Sequence, residues 1–150
     1  MPQAFILKLK TMKLISTLLI AVALFTTLST SAKMYEEYGS SRFYDLKSGD
    51  TLVINSGEYR GRIQNNESGW VLIVRQHALF SPSNFSGING QVFNYGTITL
   101  NQSLSTANGF SLENYGAFNV YANALFNGDQ QVTIHNRANG NMYFGNSIDF

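Results

Sequence analysis

Glu113 and His135 fall at the same place in two copies of a short repeat, and they form the best acid/base pair in the second half of the chain. From Gln76 onward the only acidic residues are Glu113, Asp129 and Asp149, and the only basic residue besides two histidines is Arg137. A carboxylate and an imidazole on neighbouring strands, about 5 Å apart, could exchange a proton. The pair has no third group to orient it, however, and an exposed charge–imidazole contact explains it as well. Tyr95 and Tyr115 suggest different chemistry: they are one repeat apart, and Arg137 takes the third copy of their position. Pointing outward, two phenol rings and a guanidinium would give flat faces with polar tips, suited to sugar rings. Pointing at each other, the tyrosines would only staple the turns.

A third group, Glu58, Arg60, Arg62, Glu67, Arg75 and His77, holds much of the charge. The alternation of Glu58, Arg60 and Arg62 places them on one strand face, either as a basic stripe for an acidic glycan or as a solvated face that keeps edge strands soluble. The 150 residues are 44% hydrophobic and 13% charged, with no cysteine and a formal charge of +1. That excludes disulfides, Cys-ligated metal and a thiol nucleophile, and gives no electrostatic reason to expect nucleic acid. No metal site or cofactor is expected.

These residues are positioned by a repeat of about twenty residues. Asn94-Tyr95-Gly96 returns as Asn114-Tyr115-Gly116, and a third copy runs from Ile134-His135-Asn136-Arg137 across a two-residue insertion to Gly140-Asn141-Met142-Tyr143-Phe144. Val53-Ile54-Asn55-Ser56-Gly57 and Ile73-Val74-Arg75-Gln76-His77 lie at compatible spacing. Short alternating segments such as Thr97-Ile98-Thr99-Leu100, punctuated by Asn and Gly, point to an all-β solenoid of about five short coils. Ile98, Leu100, Phe118, Val120, Met142 and Phe144 would then stack inward. Asn55, Asn94, Asn114 and Asn136 are the expected turn ladder, their amides bonding from coil to coil. Gly57, Gly96, Gly116 and Gly140 would supply positive φ beside it. The alternative is an antiparallel β-sandwich with Asn/Gly-rich turns. Thr97-x-Thr99 is not repeated on the next coil, which carries Ala117 and Asn119, so no regular ice-binding face is expected.

The run Leu46-Lys47-Ser48-Gly49-Asp50-Thr51-Leu52-Val53-Ile54-Asn55-Ser56-Gly57-Glu58-Tyr59-Arg60-Gly61 resembles the opening coil of pectin-lyase-like right-handed parallel β-helices. The Asn-Tyr-Gly coils resemble repeats of secreted, adhesin-like bacterial proteins. The resemblance implies the right-handed parallel β-helix and an envelope or extracellular setting in bacteria. It does not fix activity, because that fold carries lyases, hydrolases and non-catalytic surface proteins alike. Lyases of this shape need carboxylates around calcium and a Lys or Arg base, and the second half of the chain has few such groups.

At the N-terminus, Lys8, Lys10 and Lys13 precede an apolar run from Leu14 to Leu28, followed by Thr30-Ser31-Ala32. Residues 1–32 are read as a Sec-type signal peptide cleaved after Ala32. The run is too short for a membrane span of about 20 residues, so no retained span is expected. Met12 would serve as a start as well as Met1. Every acidic residue lies after Ala32 while three of the ten basic ones lie before it, so the exported part is slightly acidic. Residues 33–45, rich in Tyr35, Tyr38, Phe43 and Tyr44, would cap the first coil, and 46–150 would form the solenoid. No polar cap follows Asp149-Phe150. Either a partner or another copy covers the last coil end to end, or the chain is a portion of a longer protein. The expected function is that of a secreted or surface-attached, non-enzymatic module binding polysaccharide or a cell-surface component. The alternatives are a small or truncated polysaccharide-lyase-like enzyme and a structural scaffold.

Overall fold

Alternation with a period of two puts every second side chain on the same strand face, and a run that buries one face must find a neighbour doing likewise. The computed structural model describes residues 31–64, 67–85, 87–126 and 131–149. The proposed signal peptide, apart from Ser31 and Ala32, and Asp129 lie outside the described residues. From Ala32 onward the chain forms one unit and contains no α-helix among the described residues.

One long sheet is built from β1 (Met34–Glu37), β3 (Thr51–Ile54), β6 (Val71–Val74), β8 (Gln91–Asn94), β11 (Ser111–Asn114) and β14 (Thr133–Asn136), stacked in that order. A second comprises β4 (Gly57–Tyr59), β7 (Ala78–Phe80), β9 (Thr97–Leu100), β12 (Ala117–Val120) and β15 (Asn141–Phe144). The third side carries β10 (Leu104–Ser105), β13 (Ala124–Leu125) and β16 (Ile148–Asp149), with β2 (Phe43–Asp45) and β5 (Arg62–Gln64) paired beside the first rungs. Each named pairing is parallel. The antiparallel sandwich is thereby excluded. The fold is a β-solenoid of about five turns, of the right-handed parallel β-helix class expected from the sequence. Six rungs at about 4.8 Å give the stack a length of about 24 Å.

The core lies within the coil. Leu52, Leu72, Val92 and Leu112 form one inward column and Phe80, Ile98 and Phe118 another, all buried. Leu100 and Val120 are buried too, while Met142 and Phe144 on the last rung are partly covered. Each large apolar side chain taken out of water contributes about 1.5–3 kcal/mol. Trp70 closes a corner, with its indole N–H donating to Asn89 Oδ1 at 3.1 Å. A Cβ on Gly90 would strike its ring.

Residues 33–45 form the end rung itself. Tyr35 pairs in register with Leu52 and Glu37 with Ile54. Tyr35 and Tyr44 pack on the core with ring centroids 4.9 Å apart. Glu37 faces inward, 4% exposed, and accepts a hydrogen bond from the Tyr44 hydroxyl.

Two parts of the expected turn ladder are corrected by the register. The column of Asn94, Asn114 and Asn136 continues downward through Val74 and Ile54, so Asn55 is not a member. Placing Asn55 there would slip the strand by one residue and turn Leu52 and Ile54 out to solvent. The three remaining asparagines do form a ladder. Asn94 Nδ2 donates to Asn114 Oδ1 at 2.7 Å, and Asn114 Nδ2 donates to Asn136 Oδ1 at 2.7 Å. Of the four expected glycines, only Gly57 has positive φ. Gly96, Gly116 and Gly140 are required for a different reason. A Cβ on Gly96 or Gly116 would collide with a carbonyl of the rung below, and one on Gly140 with Asn114 O and Asn136 Oδ1.

Candidate functional site

The residue after the ladder position is the first to leave the first sheet at its corner, and its side chain is exposed on every rung but that of Asn55, which is half-buried with its Nδ2 covered. Backbone bonds from Asn55 N to Glu37 O, Arg75 N to Ile54 O, Tyr95 N to Val74 O, Tyr115 N to Asn94 O and Arg137 N to Asn114 O set these residues one above another. The corner therefore carries a continuous outer column, Tyr38, Asn55, Arg75, Tyr95, Tyr115 and Arg137. Asn55, misplaced by the sequence reading, belongs here.

Tyr95 and Tyr115 sit at its centre. Their rings stack with centroids 4.9 Å apart and planes 12° from parallel, and they remain 45% and 40% exposed. Arginines occupy the rungs on either side. Below, Arg75, Asn55, Ile73, Gln76, His77 and Tyr95 line an open groove of about 650 Å³. His77 alone among the described non-glycine residues has positive φ, at 69°, a conformation that histidine enters more readily than most residues.

Turn length explains this arrangement. One residue separates the ladder position from the glycine column in the two tyrosine rungs, but three do so in the arginine rungs, where Ala78 N bonds to Arg75 O and Gly140 N to Arg137 O. The tyrosine pair is therefore flanked by two longer turns. The two-residue insertion was legible in the third copy of the repeat, whereas the matching one at Arg75 is masked by a copy lacking both Asn and Gly.

At the upper end, Glu113 and His135 face each other in register. Glu113 Oε1 lies 2.7 Å from His135 Nδ1, and Arg137 Nε donates to Glu113 Oε2 at 2.6 Å. Arg137 is thus the third member of this group, bridging it to the tyrosine column. First Arg137 and then His135 hold the Glu113 carboxyl below the usual carboxylate range, and Glu113 in turn raises Arg137. A carboxylate so stabilised is a weak proton acceptor, and a guanidinium so stabilised will not give up its proton. Both directions oppose general-base chemistry. The bond to Glu113 holds the Arg137 side chain on the rung directly above Tyr115.

The charged group around Glu58 is dispersed. A corner at Arg60-Gly61 separates β4 from β5, so Arg62 leaves the face of Glu58 and lies over the Phe43 ring, 5.9 Å from its centroid. Arg60 pairs with Glu58 at 2.7 Å, and Glu67 lies 3.8 Å from Lys47. Among the described residues, no three His, Asp or Glu side chains converge as a metal cage requires, and no helix is long and apolar enough to cross a membrane. Comparison of the chain with protein-family models, with curated proteins and with solved structures gave no match.

Proposed function

We propose that this chain is an exported, non-enzymatic β-solenoid module of the pectin-lyase-like, adhesin-like kind, which binds polysaccharide or another glycan of a cell surface along its outer corner. The observation carrying this reading is the exposed, parallel Tyr95–Tyr115 stack set between Arg75 and Arg137 in one outward column. The two phenols cover each other's inner faces, so the apolar surface offered to the C–H side of a pyranose is the Tyr95 face on the Arg75 groove, with the exposed ring edges, the hydroxyls and the flanking guanidiniums reaching its oxygens. A repeat of about 4.8 Å along the column suits a polymer lying parallel to the solenoid axis. Among the described residues Arg75 is in no ion pair, leaving its donors available to a ligand.

The test is co-sedimentation of the purified chain with insoluble polysaccharides and cell-wall fractions, measuring the protein left in solution. Saturable depletion by at least one of them, lost in the Tyr95→Ala/Tyr115→Ala double variant, is the expected result. Depletion by none of them, or depletion indifferent to both tyrosines, would refute the reading.

A further inference from the structure

A second outward strip runs along the next corner of the coil, where the second long sheet gives way to the short one. Tyr121 N bonds to Leu100 O, which sets Tyr121 directly above Asn101. Tyr121 and Tyr143 form an exposed pair with ring centroids 5.4 Å apart, 51% and 49% exposed. Below them Glu58, Arg60, Ser81, Ser83, Asn101 and Gln102 line an open groove of about 430 Å³.

Three features of this groove point to a ligand rich in hydroxyls. Glu58 and Arg60 are joined by a single contact, Arg60 Nη2 to Glu58 Oε2 at 2.7 Å. That leaves Glu58 Oε1 to accept and the remaining guanidinium N–H groups to donate, the complementary pair a vicinal diol needs. Gln102 Nε2 is buried without an acceptor, so turning that amide into the groove sacrifices no existing hydrogen bond and relieves an unmet one. Finally, the paired carboxylate and guanidinium nearly cancel, so the groove offers no net charge to attract an anion, while the two tyrosines above extend it with apolar faces.

We propose that this strip, from the Glu58–Arg60 groove up to Tyr121 and Tyr143, is a second binding site for a neutral, hydroxyl-rich glycan segment. It is separate from the Tyr95–Tyr115 corner and does not depend on that corner binding anything. With sites on two corners flanking one sheet, a single module can hold two glycan chains, or two stretches of one.

The experiment is a calorimetric titration of the purified chain with maltohexaose, cellohexaose, xylohexaose and chitohexaose in turn. At least one should bind saturably. Glu58→Ala and Tyr121→Ala should each weaken that binding about tenfold, the scale of one charge-assisted hydrogen bond or one lost ring contact. Arg60→Gln, which removes no apolar surface from the core, should do the same with an unchanged circular dichroism spectrum. The Tyr95→Ala/Tyr115→Ala variant should bind as the parent does. Failure of all four sugars to bind, or binding that survives Glu58→Ala, Arg60→Gln and Tyr121→Ala, would overturn the proposal.

Discussion

Asn114 is the middle of the buried ladder, and its replacement tests how the last three rungs are held together. Its side chain is fully buried. It accepts from Asn94, and its Nδ2 donates to Asn136 Oδ1 at 2.7 Å and shares its other N–H between Asn141 O at 3.1 Å and Gly116 O at 3.2 Å. Asn114→Ala deletes all of these contacts. Asn94 Nδ2 keeps a second acceptor, Ala117 O at 2.8 Å, and Asn136, exposed on the last rung, can turn to water. Two or three lost bonds at about 1 kcal/mol each, with a penalty for the carbonyl left unpaired, amount to about 3 kcal/mol. With a urea dependence of about 1.5 kcal/mol per M, the unfolding midpoint should fall by roughly 2 M. Asn136→Ala should cost only about 1 kcal/mol, because its ladder bond lies where water competes. The assay is urea unfolding followed by the fluorescence of Trp70, which is fully buried. A midpoint shift for Asn114→Ala no larger than that for Asn136→Ala would show that the ladder is not a cooperative support and would refute the reasoning.

Gly116→Ala should abolish folding or lower the midpoint beyond that of Asn114→Ala, since its Cβ would collide with Gly96 O. Gly87→Ala, with φ of +66° and no atom within 4 Å of the added Cβ, should cost only about 1 kcal/mol of backbone strain in the same assay. The Glu113 carboxyl titrates below its ordinary value near 4.5, so its contribution to stability is complete above that value and is lost as pH falls through the lower, folded-state one. Arg137→Gln should move the Glu113 titration, followed by NMR, back up toward the ordinary range and flatten that acid-side loss, whereas an unmoved titration would mean Arg137 does not hold the carboxylate.

The solenoid was legible because Asn94-Tyr95-Gly96 and Asn114-Tyr115-Gly116 keep the same turn length, so that both ladder and alternation fall in step. Where turn length varies, the pattern breaks up. Asn55-Ser56-Gly57 looks like another Asn-x-Gly copy, yet its strand is fixed by Leu52 and Ile54 facing in, which moves Asn55 one place along to the outer column. The first rung escaped notice because its inward positions are Tyr35 and Glu37 rather than aliphatic residues. The roles of the glycines were misread because a close approach between rungs leaves no mark in the sequence that distinguishes it from a need for positive φ. The Glu113–His135 pairing could be read from the repeat, but the contribution of Arg137 could not, since it depends on side-chain direction across the strand. The second strip joins residues from Glu58 to Tyr143 that share no motif, and only the stacking brings them together.

The long sheet orders its strands by rung, each bonded only to the rungs next to it. All the ladder bonds therefore run along the solenoid axis. Under tension applied at the two ends of the coil, these bonds are loaded one rung after another, as a zipper is opened, rather than all at once in shear. A ligand lying along a corner, as proposed above, would instead span several rungs and load their ladder bonds together.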